Sequence, residues 1–352
     1  MADILTIATA GLKNGQLLDS KHERYPRVDY IEMKRLLDMD VIDYRAYDRS
    51  HFGKQMRYYE TKLRADLYLT MLGLRESRDY RLTFAMSERV GIPFSGLYRF
   101  ILNRGPLVAM FQRWSWRQER SVRFLNLLHA MNSIIVHCKS MKTNLVGLGA
   151  SPDKVHVIHY GVDQHFFKPL KDVPQKPGFF LSLGEVSTRD YRTLIDAVED
   201  LPVELLIAAS GHWYARENGA FLTGTIPENV TISGGIPVYD LRNIYAQAQF
   251  VALPVVDAVH SAGSTAILES MCMGRAVIVN RSPGICDYVI DGVTGIMVNP
   301  GDEQAWRETI QYLLAHPEEA RRMGKNARQR AEEELNMDIY INNIAQLLNS
   351  YL

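Results

Sequence analysis

Residues 249–280 read QFVALPVVDAVHSAGSTAILESMCMGRAVIVN. The run QFVALPV is apolar and β-branched, which suits a strand buried on both faces, and AVIVN repeats that pattern. Between them STAILESMCM has its apolar residues at helical spacing. Strand, helix and strand in that order describe a parallel unit with a crossover helix. Ahead of the helix lie the small and hydroxylated residues HSAGST, and a lone acid, Glu269, follows on its second turn. In an open parallel sheet, ligands sit beyond the carboxyl ends of the strands, where loops feed helices. Helix N-termini there offer unpaired N–H groups and a partial positive charge, so phosphate is a fitting guest. Gly263 allows close backbone approach, while Ser264 and Thr265 bring hydroxyls and a capping residue. These residues read as a diphosphate cradle; they equally suit an ordinary Ser-capped helix after a strand.

Working outward, the same alternation fills the chain. In the first half ILTIAT, DVIDY, LTFAMS, LVAMF, SIIVHC and KVHVIHY read as strands. YIEMKRLL, ETKLRADLYLTML, SGLYRFIL, RQERSVRFLNLLHAM and MKTNLVGL read as the helices between them. After the Pro- and Lys-containing FFKPLKDVPQKPG, a boundary by composition, the pattern restarts. Its strands are GFFLSLG, VELLIAAS, NVTISG, QFVALPV, AVIVN and GIMV, and its helices RTLIDAVE, VYDLRNIYAQA, STAILESMCM and EQAWRETIQYLLAH. The tail, PEEARRMGKNARQRAEEEL then MDIYINNIAQLLNSYL, offers two helices and no strand. The expected class is α/β, with a first Rossmann-like domain over 1–168, a second over 169–335, and a terminal helix over 336–352 that packs back on the first.

The chain has 352 residues, 47% of them hydrophobic, which is long for one ordinary core and suits two. No window reaches the roughly 18 uncharged apolar residues of a membrane span, and MADILTIATAGL lacks a secretory signal's basic start. A cytoplasmic address is expected. Cys138, Cys272 and Cys286 have no C-x-x-C spacing, so reduced, packed thiols are expected. The formal net charge is zero, yet residues 1–170 hold 26 Lys and Arg against 17 Asp and Glu, and residues 171–352 hold 14 against 23. Either the first half prefers anionic partners or the two halves attract each other.

The segment MCMGRAVIVNRSPGICDYVIDGVTGIMVNPGD resembles the C-terminal half of glycosyltransferase family 4, also called glycosyl transferases group 1, whose members have the GT-B fold. LESMCMGRAVIV, PGICDYV and DGVTGIMVNPGD correspond to successive family motifs, and VHVIHYGVDQHFFKP is similar to the interdomain motif, with Tyr160 where Asn is usual. The resemblance is specific from about residue 133 to 335. It implies two Rossmann-like domains facing across a cleft and transfer of a sugar from a nucleoside diphosphate to an acceptor hydroxyl with retention. No metal or other cofactor is implied, and a UDP-sugar is favoured over a GDP-sugar as donor. Family members carry two glutamates with seven residues between them near the donor. Glu269 matches the second, which contacts the ribose, and Ser261 stands where the first would be. His260 or Asp257, in the same loop, are stand-ins for that acid. Where the family has Gly-Arg after the first strand of this domain, the chain has Gly184-Glu185, and Arg189 is the nearest cation for the leaving diphosphate. Arg189 and Arg192 also suit a solvated first helical turn.

The resemblance further implies a Gly-Gly loop and a mid-domain His in the first half. TAGLKNGQ offers isolated Gly11 and Gly15, and Gln112 falls near the His, with Glu88 and Arg113 as further acceptor-side candidates. In RWSWRQERSVRF, Arg113, Arg117 and Arg120 recur at i, i+4 and i+7, beside Trp114 and Trp116, so one helix would carry a basic face for an anionic acceptor or for peripheral contact with a membrane. The alternative is a basic helix whose Arg stems cover its own core. A small-molecule, glycan or lipid-linked acceptor is expected, and no nucleic acid. Asp38-Met39-Asp40 has the D-x-D form of a metal site but sits at a helix-to-strand turn, which favours a solvated loop. His137, His156 and His159 lie in apolar runs and read as core or rim residues. The competing functions are a binding or scaffold protein that has lost its chemistry with the acid at Ser261, and a nucleotide-sugar epimerase of the same fold.

Overall fold

A computed structural model describes residues 2–10, 24–63, 65–98, 105–210 and 225–352, without the side chains of 61–63, 116, 117 and 210. The chain forms two compact units. The first gathers residues 2–10, Arg27–His159 and Tyr340–Leu352; the second is built on Tyr160–Ile339.

The first unit holds strands β1 (Ile4–Ile7), β2 (Met39–Ile42), β3 (Leu82–Ala85), β4 (Leu107–Phe111), β5 (Ser133–Val136) and β6 (Val155–Val157). They make one sheet of order β2-β1-β3-β4-β5-β6, parallel throughout. Every residue of β1, β3, β4 and β5 is buried, which is why these strands appear in the sequence as unbroken apolar runs. The helices are α1 (Asp29–Leu36), α2 (Arg45–Asp48), α3 (His51–Leu63), α4 (Leu67–Glu76), α5 (Glu88–Tyr98), α6 (Trp116–Leu125) and α7 (Lys139–Gly147).

Helical periodicity alone misplaces several of their ends. ETKLRADLYLTML belongs to two helices, parted before Asp66, whose buried carboxylate takes Arg89 Nε at 2.8 Å and Nη2 at 2.9 Å and the Tyr44 hydroxyl at 3.2 Å. That ion pair fixes a turn where periodicity would continue. The SGLYRFIL helix begins earlier, at Glu88, and RQERSVRFLNLLHAM breaks at Asn126, left-handed with φ 51°.

The second unit repeats the plan with β7 (Phe179–Glu185), β8 (Glu204–Ser210), β9 (Val230–Gly234), β10 (Phe250–Leu253), β11 (Ala276–Asn280) and β12 (Gly295–Val298), in the order β12-β11-β10-β7-β8-β9. All its pairings are parallel. Its helices are α8 (Tyr191–Val198), α9 (Val238–Gln247), α10 (Ser264–Cys272), α11 (Glu303–Ala315) and α12 (Pro317–Glu334), and α13 (Met337–Asn349) runs on into the first unit's residues. Two apolar clusters cover the sheet's two faces. One gathers Leu181, Tyr245, Leu253, Leu268 and Val279; the other gathers Phe180, Leu194, Ile278, Trp306 and Ile310. Each sheet switches direction of strand order at its first strand (β1, β7), the place where loops at the carboxyl edge diverge and leave room for a ligand.

Within the first unit, Tyr340–Leu352 is tied to the sheet. The Tyr351 hydroxyl lies 2.7 Å from Ser133 Oγ, the Tyr340 ring packs edge-on against His137 at 5.7 Å, and Arg81 bonds the Leu352 carbonyl.

Candidate functional site

Strands β7 and β10 are neighbours, and the loops that leave their carboxyl ends are stitched together. Asp190 N–H reaches the Pro254 carbonyl at 2.7 Å, Val256 N–H reaches that of Thr188 at 3.2 Å, and Arg189 and Val255 form an antiparallel bridge. This pairing carries the Arg189 side chain to the head of α10.

Arg189 is buried, 8% exposed. Its Nε donates to the Leu183 carbonyl at 3.0 Å, and Nη1 donates to the Thr188 carbonyl at 3.1 Å and to Thr188 Oγ1 at 3.0 Å. It fills space that two glycines leave open. A β-carbon on Gly184 would lie 2.5 Å from Arg189 Nη2, and one on Gly263 would lie 3.3 Å from the same atom. Both glycines have left-handed backbones, φ 130° and 88°, which strain any side chain, and at Gly184 the collision with Arg189 adds to that strain. Burial pushes the guanidinium pKa down, while nearby Tyr191, Tyr245 and Glu185 work against that shift. Among the described residues no carboxylate forms an ion pair with it. A desolvated cation with no ion-pair partner among the described residues, set beside a helix N-terminus, favours an anion at that spot. Arg189 is thus no solvated first-turn residue; Arg192 is the one that pairs locally, with Asp196.

The head of α10 departs from expectation in its capping. Gly263 is the N-cap, left-handed and without a side-chain cap, so neither Ser264 nor Thr265 has that role. Ser264 is buried as the first helical residue, and its N–H turns back to the Ser261 carbonyl at 3.1 Å, which withdraws it from the cradle. The helical ladder opens with Ile267 N–H to the Gly263 carbonyl at 3.0 Å, so the amides of Thr265 and Ala266 precede it. Thr265 itself is exposed, Ala262 is buried, and Ser261 and Gly263 are half-buried.

Asp257, exposed, and His260, half-buried, sit in the loop between β10 and α10. The loop leaving β11 holds that segment: Ser282 Oγ accepts the Ala258 N–H at 3.0 Å, and Gly284 N–H donates to the Ala258 carbonyl at 3.0 Å. Deeper, Asn280 links the Val255 carbonyl, 2.9 Å from Nδ2, to Trp306 Nε1, 2.9 Å from Oδ1. Glu185, where the family has Arg, accepts from the Ser187 hydroxyl at 2.9 Å.

Glu269 is half-buried, and its Oε2 accepts a hydrogen bond from the Tyr245 hydroxyl at 2.8 Å. Burial raises the carboxyl pKa to about 7, and the Tyr245 bond opposes that rise. Nothing in the sequence points to Tyr245, which comes from α9; only the packing of α9 beside α10 brings it there.

In the first unit, Glu88 opens α5 and is buried. Its Oε2 accepts the amides of Gln112 at 3.0 Å and Arg113 at 3.4 Å, which brings the three acceptor-side candidates together at the carboxyl edge of β4. Burial pushes the Glu88 pKa up, against these bonds. Gln112 and Arg113 are exposed. The expected basic helix face does not form as read. Ser115 is extended and α6 starts at Trp116, so Arg113 lies outside the helix, in the loop that Glu88 holds. Arg120 is helical and exposed, the side chains of Trp116 and Arg117 lie outside the described residues, and Trp114 stacks on Phe111 at 5.7 Å. Gly11 and Gly15 also lie outside the described residues.

His137 is buried, with Nδ1 2.9 Å from the Ile158 carbonyl, and burial lowers its pKa to about 4. His156 Nε2 meets Ser133 Oγ at 3.0 Å, and His159 is half-buried. Asp38 and Asp40 are exposed at the amino end of β2, the edge away from the ligand-facing loops, with Asp40 bonded to the Tyr80 hydroxyl at 3.0 Å. Among the described residues no group of His, Cys, Asp and Glu gathers as metal ligands, and no helix is long and apolar enough to cross a membrane. Cys138 and Cys272 are packed thiols, but Cys286 is exposed because it sits on the loop after β11.

Two six-stranded parallel sheets, each with helices flanking it, define the GT-B architecture. The chain is glycosyltransferase-like: residues 163–330 match the family model of the glycosyl transferases group 1, which bears out the resemblance. Relatives include the MMP alpha-(1->4)-mannosyltransferase of Mycolicibacterium hassiacum, 26% identical over 65% of this chain and 55% of that protein. A D-inositol 3-phosphate glycosyltransferase of Corynebacterium urealyticum is 30% identical over 40% of this chain and 33% of its own. The chain thus spans little more than half of the first relative's length and a third of the second's. Among solved structures, Anabaena HepE in complex with UDP-glucose has a TM-score of 0.73 at 18% identity, covering 99% of this chain and 100% of that one. The sucrose-phosphate synthase of Thermosynechococcus elongatus has the same TM-score at 17% identity, covering 99% and 98%.

Proposed function

We propose that the chain transfers a sugar from a nucleoside diphosphate sugar, a UDP-sugar in preference to a GDP-sugar, to the hydroxyl of a small-molecule, glycan or lipid-linked acceptor, with retention at the anomeric carbon. One observation carries this: a guanidinium buried between two glycines, in no ion pair with a carboxylate among the described residues, at the start of the helix that bears Glu269. Arg189 and the amides of Thr265 and Ala266 hold the diphosphate and stabilise the charge that grows on it as the sugar leaves. Glu269 takes the ribose hydroxyls. The departing phosphate accepts the acceptor's proton as the new bond forms on the same face of the sugar, so the protein need not supply a base. With arginine and helix dipole neutralising the leaving group, no metal is required. Glu88, through Gln112 and Arg113, shapes the acceptor side.

A panel of nucleotide sugars tests this, with and without acceptor hydroxyls. Release of nucleotide that depends on acceptor, insensitivity to chelator and an unchanged anomeric configuration by NMR are the expected results. One feature favours a second outcome. Ser261, half-buried in the donor loop where the family carries an acid, supports a chain that binds donor without turning it over. Saturable binding with no nucleotide released would establish that, and an isomerised sugar would mark an epimerase.

A further inference from the structure

We propose that Tyr245 is a positioning residue for Glu269: its hydroxyl, 2.8 Å from Oε2, aims the carboxylate from inside the core and leaves Oε1 for the ribose. The inference rests on Glu269 being the ribose ligand. Tyr245 is well placed for this. It is fully buried on the last turns of α9, and its ring packs edge-on against Phe167 at 6.4 Å, so its hydroxyl has little freedom. Glu269 is on α10, and an unanchored glutamate retains several rotamers that ligand binding must freeze. A hydroxyl fixed by a packed ring settles part of that cost before the ligand arrives.

The same bond governs the carboxyl's charge. Burial favours the protonated form of Glu269, and the Tyr245 donor favours the ionised one. Other ionisable groups border the pair. Arg189, from the loop after β7, is near enough to Tyr245 to act on it electrostatically. Cys272, one turn along α10, feels Glu269 together with Asp163 and, from α12, Arg328 and Glu332; these last two pair with each other. Tyr245 alone among them bonds the carboxylate directly, so its removal should leave Glu269 both less oriented and harder to ionise.

The test is calorimetric binding of UDP and of GDP to the wild type, Tyr245→Phe, Glu269→Gln and the double variant, at about pH 8.5 and about pH 7. Phenylalanine keeps the buried ring, and matching thermal melts show that the fold is intact. Tyr245→Phe is expected to weaken binding roughly 3- to 10-fold at the higher pH, as the loss of one hydrogen bond would, and by a larger factor near pH 7. Glu269→Gln should weaken it at least as much without that extra loss near pH 7. The double variant should lose less than the two single losses combined, because the donor acts on binding through the carboxylate it orients. The ligand's own phosphate titration is common to all four proteins and cancels in the ratios. Wild-type affinity in Tyr245→Phe, or a loss that adds in full to that of Glu269→Gln, overturns the role of Tyr245 while leaving the ribose role of Glu269 standing. Wild-type affinity in Glu269→Gln, or binding of neither nucleotide, removes the donor-site reading itself.

Discussion

Arg189 occupies the place where a side chain on Gly184 would begin: a β-carbon there would stand 2.5 Å from Nη2, on a backbone with φ 130°. Gly184→Ala therefore meets strain and collision together. The expected result is a loss of ~1–3 kcal/mol of stability and a markedly weaker grip on nucleotide, as the guanidinium is driven from its slot. Urea unfolding and nucleotide calorimetry check the two halves separately; an alanine variant with native stability and affinity would show that the slot is not needed.

Removing the cation itself should act on rate. Arg189→Ala is expected to lower turnover roughly tenfold or more, since the charge it answers is greatest in the transition state. Arg189→Lys should recover little of this, because an ammonium cannot bond the Leu183 and Thr188 carbonyls and still face a diphosphate in the same plane. Steady-state kinetics with saturating donor decide it, and an unaltered rate in the alanine variant takes Arg189 out of the site.

Glu269→Ala should weaken nucleotide binding by ~1–3 kcal/mol through the loss of a charged acceptor. The acid also leaves a mark on folding. Its pKa rises from 4.5 to about 7 in the folded chain, so the native state holds a proton that the unfolded state gives up between these values, and stability falls as pH rises through that window. Denaturation at several pH values should show this slope in the wild type and a shallower one in Glu269→Gln.

His137 predicts the opposite slope on the acid side. Its pKa falls from 6.5 to about 4 on burial, so the unfolded chain takes up a proton below pH 6.5 that the folded chain refuses. Stability present above that value is lost as pH drops towards 4. His137→Gln should flatten that part of the profile, and an unchanged profile would show that another group dominates.

Glu88→Ala should free the amides of Gln112 and Arg113 and leave them without their carboxylate, at an expected cost of ~1–3 kcal/mol. Hydrogen exchange at those two amides is the direct measurement: protection equal to the wild type's would show that the loop is held by other means.

The central strands β1, β3, β4, β5, β10 and β11 stand out most clearly in the sequence, because a strand covered on two faces leaves an almost unbroken apolar run. Helix ends are less legible. Nothing near Asp66 announces a break; its partner Arg89 lies 23 residues further on, and the turn exists because the two meet. The Arg113–Arg117–Arg120 spacing suggested a face that forms only if the helix starts three residues earlier than Trp116. Glu269 and the small-residue turn can be picked out by type and place. That Gly263, and not a serine, caps α10 cannot, since left-handed geometry is a property of the folded loop. Arg189 stands out as a cation near an expected one, but the slot that receives it depends on the pairing of two loops more than sixty residues apart along the chain, at Arg189 and Val255.

Tyr340–Leu352 completes the sheet packing of the unit whose strands are translated first. On the ribosome those strands emerge long before the segment that binds Ser133 and His137, so the earlier-made half must wait for the later-made one to be synthesised. The first unit can therefore become fully native only after that segment has emerged.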